Sequence, residues 1–397
     1  MRFSLNFILK LLLIFFFILN VFLLNVTILG VNIRYVVFFV LCFISIVLHP
    51  RGRFLPIKTY KEIAIIFIMA TILLFYSIAI MGNKFENALT LTIPYLTLLS
   101  IPLFRIMFRR YSIKAIIKIF VYITCLLSLY FVVIILVFLL DPSLAFSLIK
   151  SDSLVMFTVR DNIPRIFFKT SVFYIPVFTY CLIYIQGSFK KIILSLLCLF
   201  QILFFQTFGL FFGVFAVFLL YLLYSKKYKI LIVSSILIVL SISFIAVNSN
   251  TIFSEAKQYS IKTKLSQLAK GFETPDIHSF LLGDGIGAPI AGLDERSLKK
   301  DFIVEVAPVM LYQMGGVIGA FLLIYIYSWT AIKGGLKSIK SNNKDIAFLS
   351  FSQIGMLFAS ISNPFIWSGG IGILFVSMNI AALYLTKTNN YADNLTT

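Results

Sequence analysis

The sequence predicts an all-α fold: a polytopic integral membrane protein of about twelve transmembrane helices with two larger extracytoplasmic loops. Three observations carry that expectation. Apolar residues make up 60% of the 397 and charged residues only 12%, for a mean hydropathy of +1.02. Uninterrupted apolar runs at 7–29, 63–81, 119–140 and 230–247 match the about 20 residues that cross a ~30 Å hydrocarbon core. Lysine and arginine gather in alternate breaks between the runs. Inside lipid each backbone polar group must be satisfied within its own segment, so such runs are helices.

Taken in order, the runs divide into spans 7–29, 32–48, 63–81, 88–104, 119–140, 171–186, 191–206, 208–224, 230–247, 303–328, 346–361 and 365–385, in one membrane domain over 1–397. Arg2 and Lys10 raise the question of a secretory signal. The first run is longer than a signal core of about 7–15 residues and no small-residue cleavage site follows, so it reads as an uncleaved span. With the amino terminus inside, cytoplasmic breaks hold 21 of the 34 lysines and arginines. Seven of the other 13 fall in one long loop, where charge has little influence on topology. Twelve of the fifteen acids face outward, leaving Glu62, Asp345 and Asp393 inside. Both termini are therefore expected in the cytoplasm, and the +19 net charge forms a rim that meets anionic membrane lipids. Nucleic acid is not an expected partner.

Two outer loops, 141–170 and 248–302, are too long to be simple connectors. In the second, Ser254 can cap and Gly271 can terminate a short amphipathic helix over about 254–271, with Ile261, Leu265 and Leu268 at helical spacing between lysines.

Chemistry is expected in few places. Cys42, Cys125, Cys181 and Cys198 sit inside apolar runs without a C-x-x-C pair, and His49 and His278 are far apart, so neither a metal site nor a cofactor is signalled. Gly283, Gly285 and Gly287, with Ala288, have the form of a dinucleotide fingerprint but lack its strand-and-helix context. They read instead as a turn that admits positive φ. In the first outer loop Arg160, Arg165 and Lys169 cluster ahead of span six. If Asn162 caps and Pro164 opens that helix, Arg165 and Lys169 lie one turn apart beside its positive end, a favourable anion site. The alternative is that they reach lipid headgroups. Glu305 falls in the first turn of span ten, where a carboxylate either orients or deprotonates a nucleophile or pairs with an arginine. Gly315 and Gly319 form a small-xxx-small face suited to helix packing.

The order of these features resembles the O-antigen and capsule polymerase family and its relatives, the O-antigen ligases. These are bacterial proteins with about a dozen spans and a large extracytoplasmic loop late in the chain. The resemblance is carried by Leu282-Gly283-Asp284-Gly285-Ile286-Gly287, then Glu305 opening a helix, then Gly315-Gly316-Val317-Ile318-Gly319. The earlier Asp161-Asn162-Ile163-Pro164-Arg165 and the late Asn363-Pro364 also fit. Ligases usually have a histidine where this chain has Glu305, which favours polymerase; the spaced Arg-x10-Gly repeats of some polymerases are absent.

The resemblance implies polymerisation of undecaprenyl-pyrophosphate-linked repeat units by glycosyl transfer at the outer face of the bacterial cytoplasmic membrane, without metal or cofactor. It implies Arg165 and Arg160 at the pyrophosphate with Lys169, Arg296 as a weaker phosphate contact, and Glu305 as the acceptor-side base or orienter. The implied partners are the lipid-linked glycans, membrane lipids, and a chain-length regulator and flippase of the same pathway. Ligase is the alternative within the family. A lipid-linked oligosaccharide flippase is the alternative of another class, although it would place charges along its helices and keep its loops short.

Overall fold

Apolar runs set the helices here, and short polar or proline-bearing breaks end them. The computed structural model describes residues 5–22, 27–28, 31–47, 57–144, 147, 155–160, 163–168, 170–205, 208–247, 255–272, 277–288, 306–361 and 371–393. The fold is all-α. Its helices are α1 (Leu5–Phe22), α2 (Ile33–Val47), α3 (Ile57–Phe75), α4 (Phe85–Leu96), α5 (Ser100–Arg110), α6 (Ile113–Leu140), α7 (Tyr174–Tyr184), α8 (Ser188–Phe205), α9 (Phe208–Tyr224) and α10 (Tyr228–Val247). They continue with α11 (Glu255–Gly271), α12 (Ile277–Leu282), α13 (Ala307–Ser341), α14 (Lys344–Ser360) and α15 (Ile371–Asp393). Strands among the described residues form two antiparallel hairpins, β1 (Thr27–Ile28) with β2 (Val31–Asn32) and β3 (Val155–Arg160) with β4 (Ile163–Phe168).

Each apolar run overlaps a helix. Among the described residues two helices, α6 and α13, are long and apolar enough to cross a membrane. The outward face of α6 exposes Tyr122, Leu126, Leu129, Val133 and Leu136, an uninterrupted apolar stripe. Stripes of that size on a folded chain mark contact with another apolar phase.

The core is built around α14, which packs on α7, α9, α13 and α15. Small residues set the closest approach. A Cβ placed on Gly213 of α9 would lie 2.5 Å from the Gly355 carbonyl oxygen of α14. Backbones meet this closely only where neither residue has a side chain. An aromatic cluster closes the far side: the Phe120 ring of α6 meets Phe173 edge-on at 5.0 Å and Phe375 of α15 at 5.1 Å. One cluster of polar groups inside is closely paired. Gln353, fully buried on α14, donates to the Tyr327 carbonyl at 2.6 Å and to Thr330 at 2.8 Å, and accepts from Asn379 of α15 at 2.9 Å.

Four local expectations are corrected. The segment before α7 is not a helix opened by Asn162 and Pro164. Val155–Arg160 and Ile163–Phe168 are rich in β-branched and aromatic residues and pair as a hairpin, with Pro164 opposite Val159. The helix α13 begins at Ala307 behind Val306 as its cap, with Pro308 in the first turn where a missing N–H costs nothing, so its first turn starts beyond Glu305. It also runs on to Ser341, leaving Asn342 and Asn343 as the connector where a longer cytoplasmic break was expected. Span four divides into α4 and α5 around a 3-10 turn at Thr97–Leu99, where Ser377 of α15 donates to the Thr97 carbonyl at 3.2 Å. The segment expected as an amphipathic helix over about 254–271 is helical as α11, and its Gly271 abuts Val309 of α13.

Gly213→Leu is expected to destabilise the protein by about 1–3 kcal/mol through overpacking against α14. Thermal unfolding of the purified protein in detergent reads the effect; an unchanged midpoint would show that α9 and α14 do not meet at these glycines.

Candidate functional site

A glycine turn lies where the ends of three helices converge. At its first flank α3 widens into a π-helical turn, Tyr76–Ile80, in which the Met81 N–H reaches the Tyr76 carbonyl. Single π turns inside α-helices are frequent at functional sites. Here the turn is followed by Asn83, whose N–H bonds the Ser77 carbonyl at 2.9 Å.

Gly283, Gly285 and Gly287 have φ of +74°, +85° and +81°. Each is buried, and each has no room for a Cβ. A Cβ on Gly285 would stand 2.9 Å from the Asn83 amide, and one on Gly287 2.6 Å from the Ala88 nitrogen at the start of α4. A Cβ on Gly283 would meet the backbone of Gly316, whose own φ is +59° and which breaks the helical course of α13. Two positive-φ glycines therefore touch across the turn. Residues with side chains tolerate neither the conformation nor the approach.

Hydrogen bonds fix the turn from both flanks. The Tyr76 hydroxyl donates to the Gly283 carbonyl at 2.8 Å, and the Asn83 amide to the Asp284 carbonyl at 2.8 Å. The Ile286 N–H donates to the Ser77 hydroxyl at 2.7 Å, while that hydroxyl donates to the Leu73 carbonyl at 2.7 Å. From α13, the Gln313 carbonyl accepts the Asp284 N–H at 2.7 Å. Beneath the turn is an apolar pocket of about 170 Å³, lined by Met69, Ile72 and Leu73 of α3, Ile286 of the turn, and Met314 and Leu322 of α13. Beside it, the Gln313 side-chain oxygen is buried without a hydrogen-bond partner among the described residues. The His278 ring lies 6.1 Å from that of Tyr76.

Among the described residues Gly315 and Gly319 do not form the expected close packing face; both line the apolar pocket. A Cβ on Gly319 would meet nothing within 4 Å, and the glycine that the structure needs is Gly316, the kink itself.

The other sequence-based site residues separate into two groups. Lys169, Arg296 and Glu305 lie outside the described residues. Arg160 and Arg165 enter through their backbones as hairpin residues. Arg160 pairs with Ile163 and Thr158 with Arg165, so the backbones of the two arginines lie at diagonal positions of the ladder. β4 lies against α8, and the hairpin leads into Thr170, whose hydroxyl donates to the Val21 carbonyl at the end of α1 at 3.0 Å. The loop that carries the hairpin starts at Asp141, an exposed carboxylate that accepts from Ser143 and Leu144; these bonds, Ser143 foremost, hold its carboxyl below the usual range. Among the described residues, no three His, Cys, Asp or Glu side chains gather as metal ligands.

Sequence reading missed Tyr76, Ser77, Asn83 and Gln313. Tyr76, Ser77 and Asn83 meet the turn across more than 200 residues of sequence. Their only local signal is polarity at the end of an apolar run. No family model matches the chain, and no curated protein matches it. Fold and site together define an all-α protein with membrane-length helices and a locked glycine turn above an apolar pocket.

Gly283→Ala combines positive-φ strain with a clash and is expected to cost about 1–3 kcal/mol. Ser77→Ala leaves the Ile286 N–H without an acceptor and is expected to cost a similar about 1–3 kcal/mol. Gly82→Ala, at φ +68° but with nothing within 4 Å, has the strain alone and serves as the reference. Thermal unfolding in detergent ranks the three; equal midpoints for Gly283→Ala and Gly82→Ala would contradict the close approach to Gly316.

Proposed function

We propose that this protein is a multi-pass membrane glycosyltransferase that polymerises polyprenyl-pyrophosphate-linked repeat units into a surface polysaccharide. In this reading it has twelve spans, both termini in the cytoplasm, and its site at the outer face of the bacterial cytoplasmic membrane. The observation that carries the reading is the polar glycine turn set directly over an apolar pocket between α3 and α13. A substrate with a sugar-phosphate head on a hydrocarbon chain needs that juxtaposition.

Further features support it. The Gln313 side-chain oxygen, without a hydrogen-bond partner among the described residues, is an acceptor suited to a sugar hydroxyl. Residues Gly316 to Lys333 of α13 span about 25 Å at 1.5 Å per residue, close to the thickness of a hydrocarbon core. At the lysine-bearing end of α13, Tyr224 donates to the Asn342 carbonyl and Tyr184 to Asp345, and the Lys114 amine sits 5.9 Å above the Tyr184 ring. Cationic residues from α6, α13 and α14 thus collect at the end away from the glycine turn, as the positive-inside rule requires of this topology.

The chemistry follows from the substrate. The acceptor hydroxyl attacks the anomeric carbon of the growing glycan, the bond to the pyrophosphate breaks, and the hydroxyl proton leaves to a base. Arg160 and Arg165, carried on the two strands of the hairpin, are assigned to the charge developing on the leaving pyrophosphate, with Lys169 and Arg296 as further cations. Glu305, immediately ahead of the cap of α13, is assigned to the acceptor hydroxyl as base or orienter. The glycines shape the site and do no chemistry.

Complementation of a bacterial strain blocked in polymerisation, read as glycan length on a gel, tests the proposal. The wild-type chain should convert single-repeat glycans into ladders. Arg165→Ala and Glu305→Ala, at unchanged protein level, should reduce them about a hundredfold or more. Ladders that form without the protein but fail to reach their final acceptor would assign a ligase instead, and normal ladders from either variant would remove that residue from the mechanism.

A further inference from the structure

We infer that the lysine-bearing half of α13 carries a binding site for an anionic phospholipid, distinct from the glycine-turn site and resting on the reading of α13 as a membrane span. The helix divides cleanly into two faces over this stretch. Tyr327, Ala331, Gly334, Gly335 and Ser338 are buried; a Cβ on Gly334 would lie 3.1 Å from Asn379 of α15, and one on Gly335 3.7 Å from the Phe351 ring of α14. That packing fixes the rotation of the helix, so the opposite face is presented outward in one orientation.

The outward face changes character along its length. Phe321, Tyr325 and Trp329 stack in a ladder, with ring centroids 6.2 and 5.7 Å apart and planes within 17°. All three are exposed, Trp329 by 49%. One turn beyond Trp329 the stripe becomes basic. Trp329, Ile332, Lys333, Leu336, Lys337 and Lys340 line a shallow depression of about 480 Å³. Lys333, Lys337 and Lys340 follow one another at i, i+4 and i+7 on one face, near the negative end of the helix dipole that favours cations.

This order of chemistry fits one occupant. An acyl chain lies along the aromatic ladder and on to Ile332 and Leu336, the indole of Trp329 sits at the headgroup level, and the lipid phosphate meets the lysines. A zwitterionic headgroup would bring its own cation to the lysine cluster and lose the advantage. The site therefore selects net negative charge in the leaflet at the lysine-bearing end.

The full chain, purified in detergent, can be tested by native mass spectrometry with phosphatidylglycerol and phosphatidylcholine. Wild-type protein should retain phosphatidylglycerol at least about tenfold in preference. Lys333→Gln/Lys337→Gln/Lys340→Gln should abolish that preference, and the corresponding triple arginine variant should keep it. An unfolding midpoint equal to wild type in phosphatidylcholine micelles establishes that the glutamine variant is folded. Equal retention of both lipids by the wild type overturns the site and leaves the stripe to an acidic protein surface; a preference that survives the glutamine substitutions places lipid selection elsewhere and also overturns it. Alkaline carbonate extraction of membranes separates the underlying reading: protein that resists extraction but shows no preference loses only the lipid site, whereas released protein overturns the membrane span and the site together.

Discussion

Everything at the candidate site depends on a backbone problem, the burial of a turn whose amides and carbonyls have no helix or sheet to satisfy them. Unpaired, each such group costs about 1–3 kcal/mol. The protein satisfies them from two directions. The π turn of α3 supplies Tyr76 and Ser77, with Asn83 just beyond it, and α13 supplies the Gln313 carbonyl. Glycine is required because the two chains approach backbone to backbone at Gly283 and Gly316, both at positive φ. The kink in α13 and the turn after α12 are thus two halves of one contact, and neither has a reason to exist alone.

That contact sets the kink of α13, and through it the position of much else. The helix meets the turn at Gln313 to Gly316, bends at Gly316, and then packs Gly334 and Gly335 against α14 and α15. The buried Gln353–Asn379–Thr330 cluster holds the same three helices together deeper in the bundle. Polar groups in an apolar interior specify a single rotation and register, because any slip would leave them unpaired. The glycine-turn site and the basic stripe then lie toward opposite ends of one firmly placed helix.

Helices were legible in the sequence, since apolar length alone dictates them, and the connector lengths were not. Charged and polar residues at span ends, such as Lys333 to Ser341, continue a helix as readily as they end it, so α13 outran its expected limit. The stretch from Val155 to Phe168 misled for a different reason. Asn162 and Pro164 are good helix-opening residues, but β-branched and aromatic neighbours on both sides favour pairing across Asp161-Asn162. At the glycine turn the need for positive φ could be read from Gly283, Gly285 and Gly287. The partners could not, because Tyr76, Ser77 and Asn83 belong to a segment about 200 residues earlier, and no local pattern encodes that pairing. The Gly315-Gly319 spacing suggested helix packing, whereas the unspaced pair Gly315-Gly316 held the true signal, a kink.

The proposed activity joins a polar site to an apolar pocket in one chain, and it is tested most directly away from the cell. Purified protein in liposomes, supplied with undecaprenyl-pyrophosphate-linked repeat units on the side that carries the glycine turn, should yield longer lipid-linked glycans and release undecaprenyl pyrophosphate in proportion to the bonds formed. Repeat units that stay single, or that merely change leaflet without growing, would contradict a polymerase.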